Sequence, residues 1–108
     1  MIVTVFRSRL DPEHETEYEM FSEEVHELGT RMPGFVSIKT FTAEDGERVS
    51  IVEFESEEAL TAWREHPRHR EAQTLGRERF FLEYSITTCR VMREARFSRL
   101  TPESNSRA

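Results

Sequence analysis

Side chains that could carry chemistry are concentrated in one short stretch, where Trp63, His66 and His69 follow one another closely. An indole can stack on a planar ring and donate its N–H, and a neutral imidazole can take a proton from a phenol. Tyr84, on the strand predicted to follow, adds a hydroxyl group. We predict that His69, Trp63 and Tyr84 are catalytic and that His69 is the base.

Each of these residues also has a purely structural interpretation. The pattern favours packing against the sheet over a cavity wall for Trp63, and core packing over a substrate contact for Tyr84. For His66 it favours a helix cap or a surface position, because Pro67 restarts a helix there. For His69 the pattern favours neither a structural position nor a position in the same cavity as Trp63. The predicted substrate-binding residues are Phe21, Phe35, His66 and Phe80.

Neither a metal nor a cofactor is predicted. His66 and His69 have the spacing H-x-x-H. However, a helix that restarts at Pro67 places His66 at its cap and His69 in its first turn, and no third ligand stands at a suitable spacing. The glycines are too scattered for a dinucleotide fingerprint or a phosphate loop.

The composition limits the class of partner. The formal net charge is −6, which argues against nucleic acid and anionic membranes. Arginines cluster over residues 64–79, but Glu65, Glu71 and Glu78 are interleaved with them, so a solvated face is favoured over a phosphate-binding patch. The single cysteine, Cys89, and the lack of a long apolar run predict a soluble cytoplasmic protein.

The chain is predicted to form one domain over residues 1–95, followed by a flexible tail over 96–108. Asp11 and Ser56 are placed to cap helices, and Asp45-Gly46 predicts a hairpin turn. The predicted elements are strand 2–10, a helix after Asp11 as far as Met32, strands 35–42 and 48–55, a helix after Ser56, a helix from Pro67 to Gly76, and strand 80–93.

The order βαββαβ predicts an α+β, ferredoxin-like fold with a four-stranded antiparallel sheet. Both faces of the central strands are apolar, yet two helices can cover only one face. We therefore predict a homodimer that packs sheet against sheet. A shift in the apolar phase of the last strand predicts a bulge near Thr87-Thr88, or a strand that leaves its own sheet for the partner's.

Much of the chain resembles the antibiotic biosynthesis monooxygenase family of the dimeric α+β barrel superfamily. The resemblance covers residues 2–93 and implies a homodimer with a cavity in each protomer, between helices and sheet. It rests on Met32-Pro33-Gly34-Phe35, on the segments 49–54 and 56–63, and on His66-Pro67-Arg68-His69 with Ala72-Gln73, Gly76 and Tyr84.

The resemblance implies several possible reactions. Some relatives oxygenate phenols and anthrones without metal or flavin, others oxidise quinols, and others degrade heme. The heme branch fits poorly: Trp63 matches its motif, but Ser8 stands at the Asn position and Gln73 at the position of the iron-ligating His.

The predicted function is a cofactor-independent monooxygenase acting on an electron-rich aromatic molecule. The alternative is a non-catalytic dimer that binds a small hydrophobic metabolite, or a stress-associated protein. An apolar pocket that meets Trp63 and His69 would favour the enzyme, whereas burial of both without a cavity would favour the alternative.

Overall fold

A computed structural model describes residues 1–100. Its elements follow the predicted order, with two additional short turns. They are β1 (Ile2–Leu10), a 3₁₀ turn (Pro12–His14), α1 (Glu15–Thr30), β2 (Phe35–Thr42), β3 (Arg48–Phe54), α2 (Glu57–Glu65), α3 (Pro67–Leu75), a π-helical turn (Gly76–Phe80) and β4 (Phe81–Arg90).

The four strands form one antiparallel sheet in the order β2-β3-β1-β4. The predicted α+β, ferredoxin-like fold is therefore confirmed. Directly opposed residues place their side chains on the same face of a sheet. Val5 lies opposite Ile51 and Thr87, and Phe6 lies opposite Ser50 and Ile86. These two rows define the two faces of the sheet.

Side chains accept hydrogen bonds from the first free N–H groups of the 3₁₀ turn, of α2 and of α3. α1 differs from the prediction, because it begins at Glu15, after the 3₁₀ turn, and has no side-chain cap. The Asp11 carboxylate accepts from the N–H of Glu13 at 3.0 Å. Ser56 Oγ accepts from the N–H of Ala59 at 3.1 Å. The ring of His66 caps α3, since its Nδ1 lies 3.1 Å from the N–H of Arg68.

The core lies between the helices and one face of the sheet. Its buried members are Ile2, Phe54, Leu60 and Trp63. Gly29 of α1 is essential to this packing, because a Cβ there would lie 3.0 Å from Cζ2 of Trp63. The indole can therefore approach the backbone of α1 only where the side chain is a hydrogen.

The start of the last strand differs from the prediction. Phe80 belongs to the π-helical turn and is 2 % exposed, while β4 begins at Phe81. The N–H of Asp11 donates to the carbonyl of Phe80 at 2.8 Å, which fixes the end of this turn against the end of β1. Alternation alone could not predict that the backbone stays helical up to Phe80.

The predicted bulge also lies elsewhere. The register shifts between Arg9 and Leu10, where Leu82 is skipped in the pairing with β1. Thr87 and Thr88, in contrast, pair regularly with β1. The prediction of a bulge at Thr87-Thr88 was wrong, because the change of phase occurs at the start of the strand.

The two faces of the sheet are covered unequally. α1 packs against β2 and α2 packs against β3, whereas Ile86 on the helix side of β4 is 53 % exposed. The opposite face, called the open face here, carries Val3, Val5, Val49, Ile51 and Phe41, by the strand register. None of the described helices covers it, and Ile51 and Phe41 are exposed.

Residues 91–100 follow β4 without helix or strand. The tail predicted over 96–108 lies partly outside the described residues, since these end at residue 100. The domain boundary at residue 95 stays a prediction. Within residues 1–100, no helix is long and apolar enough to cross a membrane.

Gly34 should be the glycine that tolerates substitution least. Its φ is +84°, and a Cβ would lie 2.5 Å from Cβ of Ala59. Gly46 has a similar φ of +90° but nothing within 4 Å. We expect Gly46→Ala to lower the free energy of unfolding by about 1 kcal/mol and Gly34→Ala by about 3 kcal/mol or more. Urea unfolding of both variants measures the difference, and equal losses would contradict the packing described.

Candidate functional site

Trp63, His66 and His69 form one cluster where α2 meets α3. The ring centroids of Trp63 and His69 lie 4.9 Å apart, edge to face, and those of Trp63 and His66 lie 5.6 Å apart. Trp63 is 8 % exposed and belongs to the core. The predicted proximity of these three side chains is thus observed, but the indole surface is already covered by protein.

His69 is held as a neutral imidazole. Gln73, one turn further along α3, places Nε2 at 3.0 Å from Nδ1 of His69. An amide nitrogen can only donate, so Nδ1 accepts and the ring proton is on Nε2. The pKa of His69 is lowered to about 4, first by burial and then by the charge of Arg64, while a backbone hydrogen bond with Arg64 acts in the opposite direction.

This low pKa bears on the predicted role of His69 as the base. A phenol has a pKa of about 10, so transfer of its proton to a group with a pKa of about 4 is unfavourable by roughly 8 kcal/mol. The Nδ1 lone pair is also occupied by Gln73. Both observations argue against a general base at this position and favour a positioning role. No observation tests the catalytic assignment itself.

Tyr84 belongs to a second cluster, on the helix side of β1 and β4. Its ring lies 5.6 Å from that of Phe6 and 5.8 Å from that of Phe81, and the last two are 5.3 Å apart. We call these three side chains the aromatic bay. Tyr84 is 37 % exposed, and its hydroxyl lies 3.4 Å from Nη1 of Arg77. The bay combines accessible aromatic surface with a cation and a hydroxyl group.

The predicted substrate-binding residues do not form one wall. The ring centroids of Phe21 and Phe80 lie 5.8 Å apart. The ring of Tyr18 packs edge to face against Phe80 and also against Phe81 of the aromatic bay. Phe35 packs on Phe54 in the core at 5.7 Å. Contact of Phe35 or Phe80 with a substrate would require these packed side chains to move.

Sequence reasoning missed three residues of this second cluster. Phe81 and Phe6 were not among the predicted site residues. Strict alternation from Tyr84 would put Phe81 on the opposite face, and the bulge at Leu82 brings it to the helix side. Arg77 was treated as part of a solvated face, although it follows Gln73 by four residues and so shares a helix face with it.

Two surface recesses are found among residues 1–100. The larger, about 450 Å³, lies between α2 and α3 and is lined by Thr61, Arg64, Glu65, Arg70, Gln73, Thr74 and Arg77. The smaller, about 250 Å³, is lined by Arg7, Ser8, Glu47, Glu83, Tyr84 and Ser85. Tyr84 reaches a recess, whereas Trp63 and His69 line neither of them.

One group of side chains has the composition of a weak metal site. The ligand atoms of Asp11, Glu13 and His14 lie within 4.8 Å of one another. The Asp11 carboxylate already caps the 3₁₀ turn, and Nδ1 of His14 lies 3.7 Å from Glu17. The side chains of Asp11 and His14 therefore have structural partners of their own.

The profile of the family described as "Antibiotic biosynthesis monooxygenase" matches residues 1–75. The chain belongs to the antibiotic biosynthesis monooxygenase family. The match includes the strands β1 to β3 and the helices α1 to α3, and so confirms the resemblance seen in the sequence. Arg77 and the bay residues Phe81 and Tyr84 lie beyond the matched segment.

The chain is also similar to individual proteins. YqjZ of Bacillus subtilis is 27 % identical over 97 residues, covering 90 % of this chain and 85 % of its own. Among solved structures, Rv0793 of Mycobacterium tuberculosis has a TM-score of 0.76 at 18 % identity, covering 88 % of this chain and 98 % of its own.

A second similar structure carries a functional description. A variant of SnoaB from Streptomyces nogalater, described as a cofactor-independent oxygenase, has a TM-score of 0.72 at 17 % identity. The alignment covers 86 % of this chain and 94 % of that one. At these identities the structural likeness shows the shared monooxygenase-family fold.

The neutral state of His69 predicts a pH-dependent stability. Its pKa falls from 6.5 in the unfolded chain to about 4 in the fold, so protonation favours the unfolded state. The stabilisation is complete above pH 6.5 and is lost as the pH falls from 6.5 to 4, by up to about 3 kcal/mol.

Urea unfolding at pH 7 and pH 5 measures this loss. His69→Leu should have a smaller decrease in the free energy of unfolding between the two pH values than the wild type. His26→Asn, on an exposed position of α1, is the matched control and should keep the wild-type decrease. An identical pH dependence in wild type and His69→Leu would contradict the buried neutral imidazole.

Proposed function

We propose that this protein is a cofactor-independent monooxygenase that binds an electron-rich phenol, anthrone or quinol in the aromatic bay. The observation that supports this best is the Tyr84 hydroxyl beside Arg77, at the edge of an accessible aromatic wall. Stacking and edge-to-face contacts would hold a planar ring there, and the two polar groups would orient its oxygen.

The electrostatics of the bay suit a substrate that reacts as an anion. A cation within about 4–6 Å of a phenol favours its ionised form. Arg77 supplies this positive charge and Tyr84 can donate its O–H to the same oxygen. Deprotonation of the substrate would then not depend on a strongly basic side chain, which is consistent with the low pKa of His69.

The proposed reaction balances without an external reductant. The substrate anion gives one electron to O₂, and the resulting radical pair combines to a peroxide at carbon. Cleavage of the O–O bond leaves one oxygen atom on the substrate as a carbonyl. The second oxygen leaves as water with two hydrogens lost by the substrate. Both come from the methylene carbon of an anthrone, whereas a phenol or quinol loses one from the ring carbon and one from a hydroxyl group.

Two further lines support independence from a cofactor. The structurally similar SnoaB is described as a cofactor-independent oxygenase. The four glycines, Gly29, Gly34, Gly46 and Gly76, stand too far apart for a dinucleotide-binding loop.

In this proposal Trp63 and His69 are positioning residues. Trp63 anchors α2 against α1, and His69 contacts it from α3. Together they fix α3 and, through it, the turn that bears Arg77. Their effect on the reaction would be indirect, through the place of the guanidinium beside Tyr84.

A non-catalytic binder is the second candidate, and one observation favours it. Trp63 is buried, and neither it nor His69 lines either of the two recesses described above. The same aromatic bay would bind a planar hydrophobic metabolite in that case. Oxygen consumption separates the two candidates.

We also propose that two copies pair through the open face. Burial of Val3, Val5, Val49, Ile51 and Phe41 would remove apolar side chains from water. At about 25 cal/mol per Å², such a surface favours association once it is large enough to offset the cost of immobilisation.

Oxygen uptake by the metal-stripped protein tests the reaction. The panel is a set of naphthols, anthrones and quinols. We expect kcat/KM to fall about 100-fold in Arg77→Gln and about 10-fold in Tyr84→Phe, since each variant removes a group that stabilises negative charge. Arg31→Gln, whose guanidinium pairs with Glu27 outside the bay, is the matched control and should equal the wild type.

Two outcomes would contradict the enzyme proposal. Saturable binding of a panel member without oxygen uptake would favour the binder. Turnover that is the same in Arg77→Gln and in the wild type would show that the reaction occurs outside the bay.

Light scattering tests the dimer. The wild type should give about twice the chain mass of 12.8 kDa at micromolar concentration. Ile51→Glu places a charge on the open face and should give the mass of one chain. Met20→Glu, at a site on α1 that is 72 % exposed, is the matched control and should leave the mass unchanged. A monomeric wild type would disprove the proposed pairing.

A further inference from the structure

The groove between α2 and α3 is lined by two facing rows of polar side chains. Thr61, Arg64 and Glu65 have the spacing i, i+3, i+4 along α2. Arg70, Gln73, Thr74 and Arg77 have the spacing i, i+3, i+4, i+7 along α3 and the π-helical turn. This spacing puts each row on one helix face, so the groove is a built feature of the helix pair.

Arginines that alternate with glutamates in the sequence fall into two groups in the structure, one paired with carboxylates and one lining the groove. Arg68 pairs with Glu71 and with Glu24, and Arg79 pairs with Glu17 at 3.0 Å. These pairs lie outside the groove. The solvated-face interpretation therefore fits Arg68 and Arg79, whose charges are balanced by neighbouring carboxylates.

The three groove arginines differ from those two. Among the described residues, no carboxylate forms an ion pair with Arg64, Arg70 or Arg77. Glu65 is the one acidic residue in the lining, so the lining carries a net charge of +2 at neutral pH. A local excess of positive charge is unexpected in a chain whose formal net charge is −6.

Neutral hydrogen-bonding groups complete the lining. Thr61 and Thr74 offer hydroxyls, and Gln73 retains an amide oxygen and one N–H beside its bond to His69. The volume of about 450 Å³ is that of a small-molecule site. Guanidinium groups bind carboxylate and phosphate oxygens in a bidentate manner.

We propose that this groove is a binding site for a small organic dianion, a phosphate monoester or a dicarboxylate. Two negative charges would match the net charge of the lining, and the threonine and glutamine groups would contact the remaining polar atoms. The inference is independent of the reaction proposed above. Arg77 connects the two sites, since it lines the groove and also reaches Tyr84.

Isothermal titration calorimetry with defined probes tests the site. Phenyl phosphate and phthalate are the two dianions, benzoate is the monoanion, and benzyl alcohol is the neutral control. We expect saturable binding of at least one dianion, binding of benzoate that is roughly 10-fold weaker, and none of benzyl alcohol. Affinity should decrease with added salt.

The two dianions also distinguish the sources of the ligand. Tighter binding of phenyl phosphate identifies a phosphate monoester site, and tighter binding of phthalate identifies a dicarboxylate site. The proposal is overturned if neither dianion binds saturably, or if benzyl alcohol binds as tightly as the dianions.

Three variants localise the binding. Arg70→Gln should weaken the dianion about 10-fold or more, because it removes a charged donor. Glu65→Gln should tighten binding several-fold, because it removes the one negative charge of the lining. Arg93→Gln, an equal change of charge at an exposed site outside the groove, is the matched control and should bind like the wild type.

NMR places the ligand directly. In the wild type, the side-chain amide of Gln73 should shift on addition of the tighter dianion. Equal weakening by Arg70→Gln and Arg93→Gln, or binding that leaves the Gln73 amide unmoved, would show that the anion binds elsewhere and would overturn the proposal.

Discussion

The contact of Trp63 with the backbone of Gly29 is the constraint on which the rest of the structure depends. The indole approaches so closely that a Cβ on Gly29 would lie 3.0 Å from it. This contact sets the distance of α2 from α1. It also brings the start of α3 onto the indole, where His66 caps the helix and His69 packs edge to face.

The burial of His69 follows from that geometry. An imidazole that is packed on an indole and bonded to Gln73 loses its solvation, and its charged form becomes unfavourable. The side chain that looked most like a base in the sequence is therefore a weak one. An exposed hydroxyl group and a guanidinium lie instead beyond the end of α3, where Arg77 meets Tyr84.

α3 thus has two different sides. One side, through His69, packs on the indole. The other carries Arg70 and Thr74 into the groove, which Arg77 of the following π-helical turn also lines. Among residues 1–100, neither arginine forms an ion pair. Because one short helix carries both, a ligand in the groove and a substrate in the aromatic bay would share Arg77.

Local signals in the sequence predicted the elements well. Asp11, Ser56 and His66 cap helices as expected, and Asp45-Gly46 forms the turn of the β2–β3 hairpin. The order of the elements, and hence the fold, followed from these signals and from the apolar periodicity. Such features depend on residues close in sequence, which is why they could be predicted.

Features that depend on distant partners could not be predicted. Residues 76–80 stay helical until the carbonyl of Phe80 meets the N–H of Asp11, and the bulge opposite Arg9 then sets the phase of β4. The arginines looked alike in the sequence, and only the fold shows that Arg68 and Arg79 are paired whereas Arg70 forms no ion pair among residues 1–100. The catalytic assignment of His69, Trp63 and Tyr84 stays a prediction, and the position of Arg77 beside Tyr84 depends on the fold.

The most direct test of the account is the fate of oxygen in a reaction run under ¹⁸O₂ with chelator present. Oxygenation in the aromatic bay predicts a carbonyl product with one labelled oxygen atom and the second label in water. A product labelled only from solvent water, or bound substrate that is never converted, would contradict it.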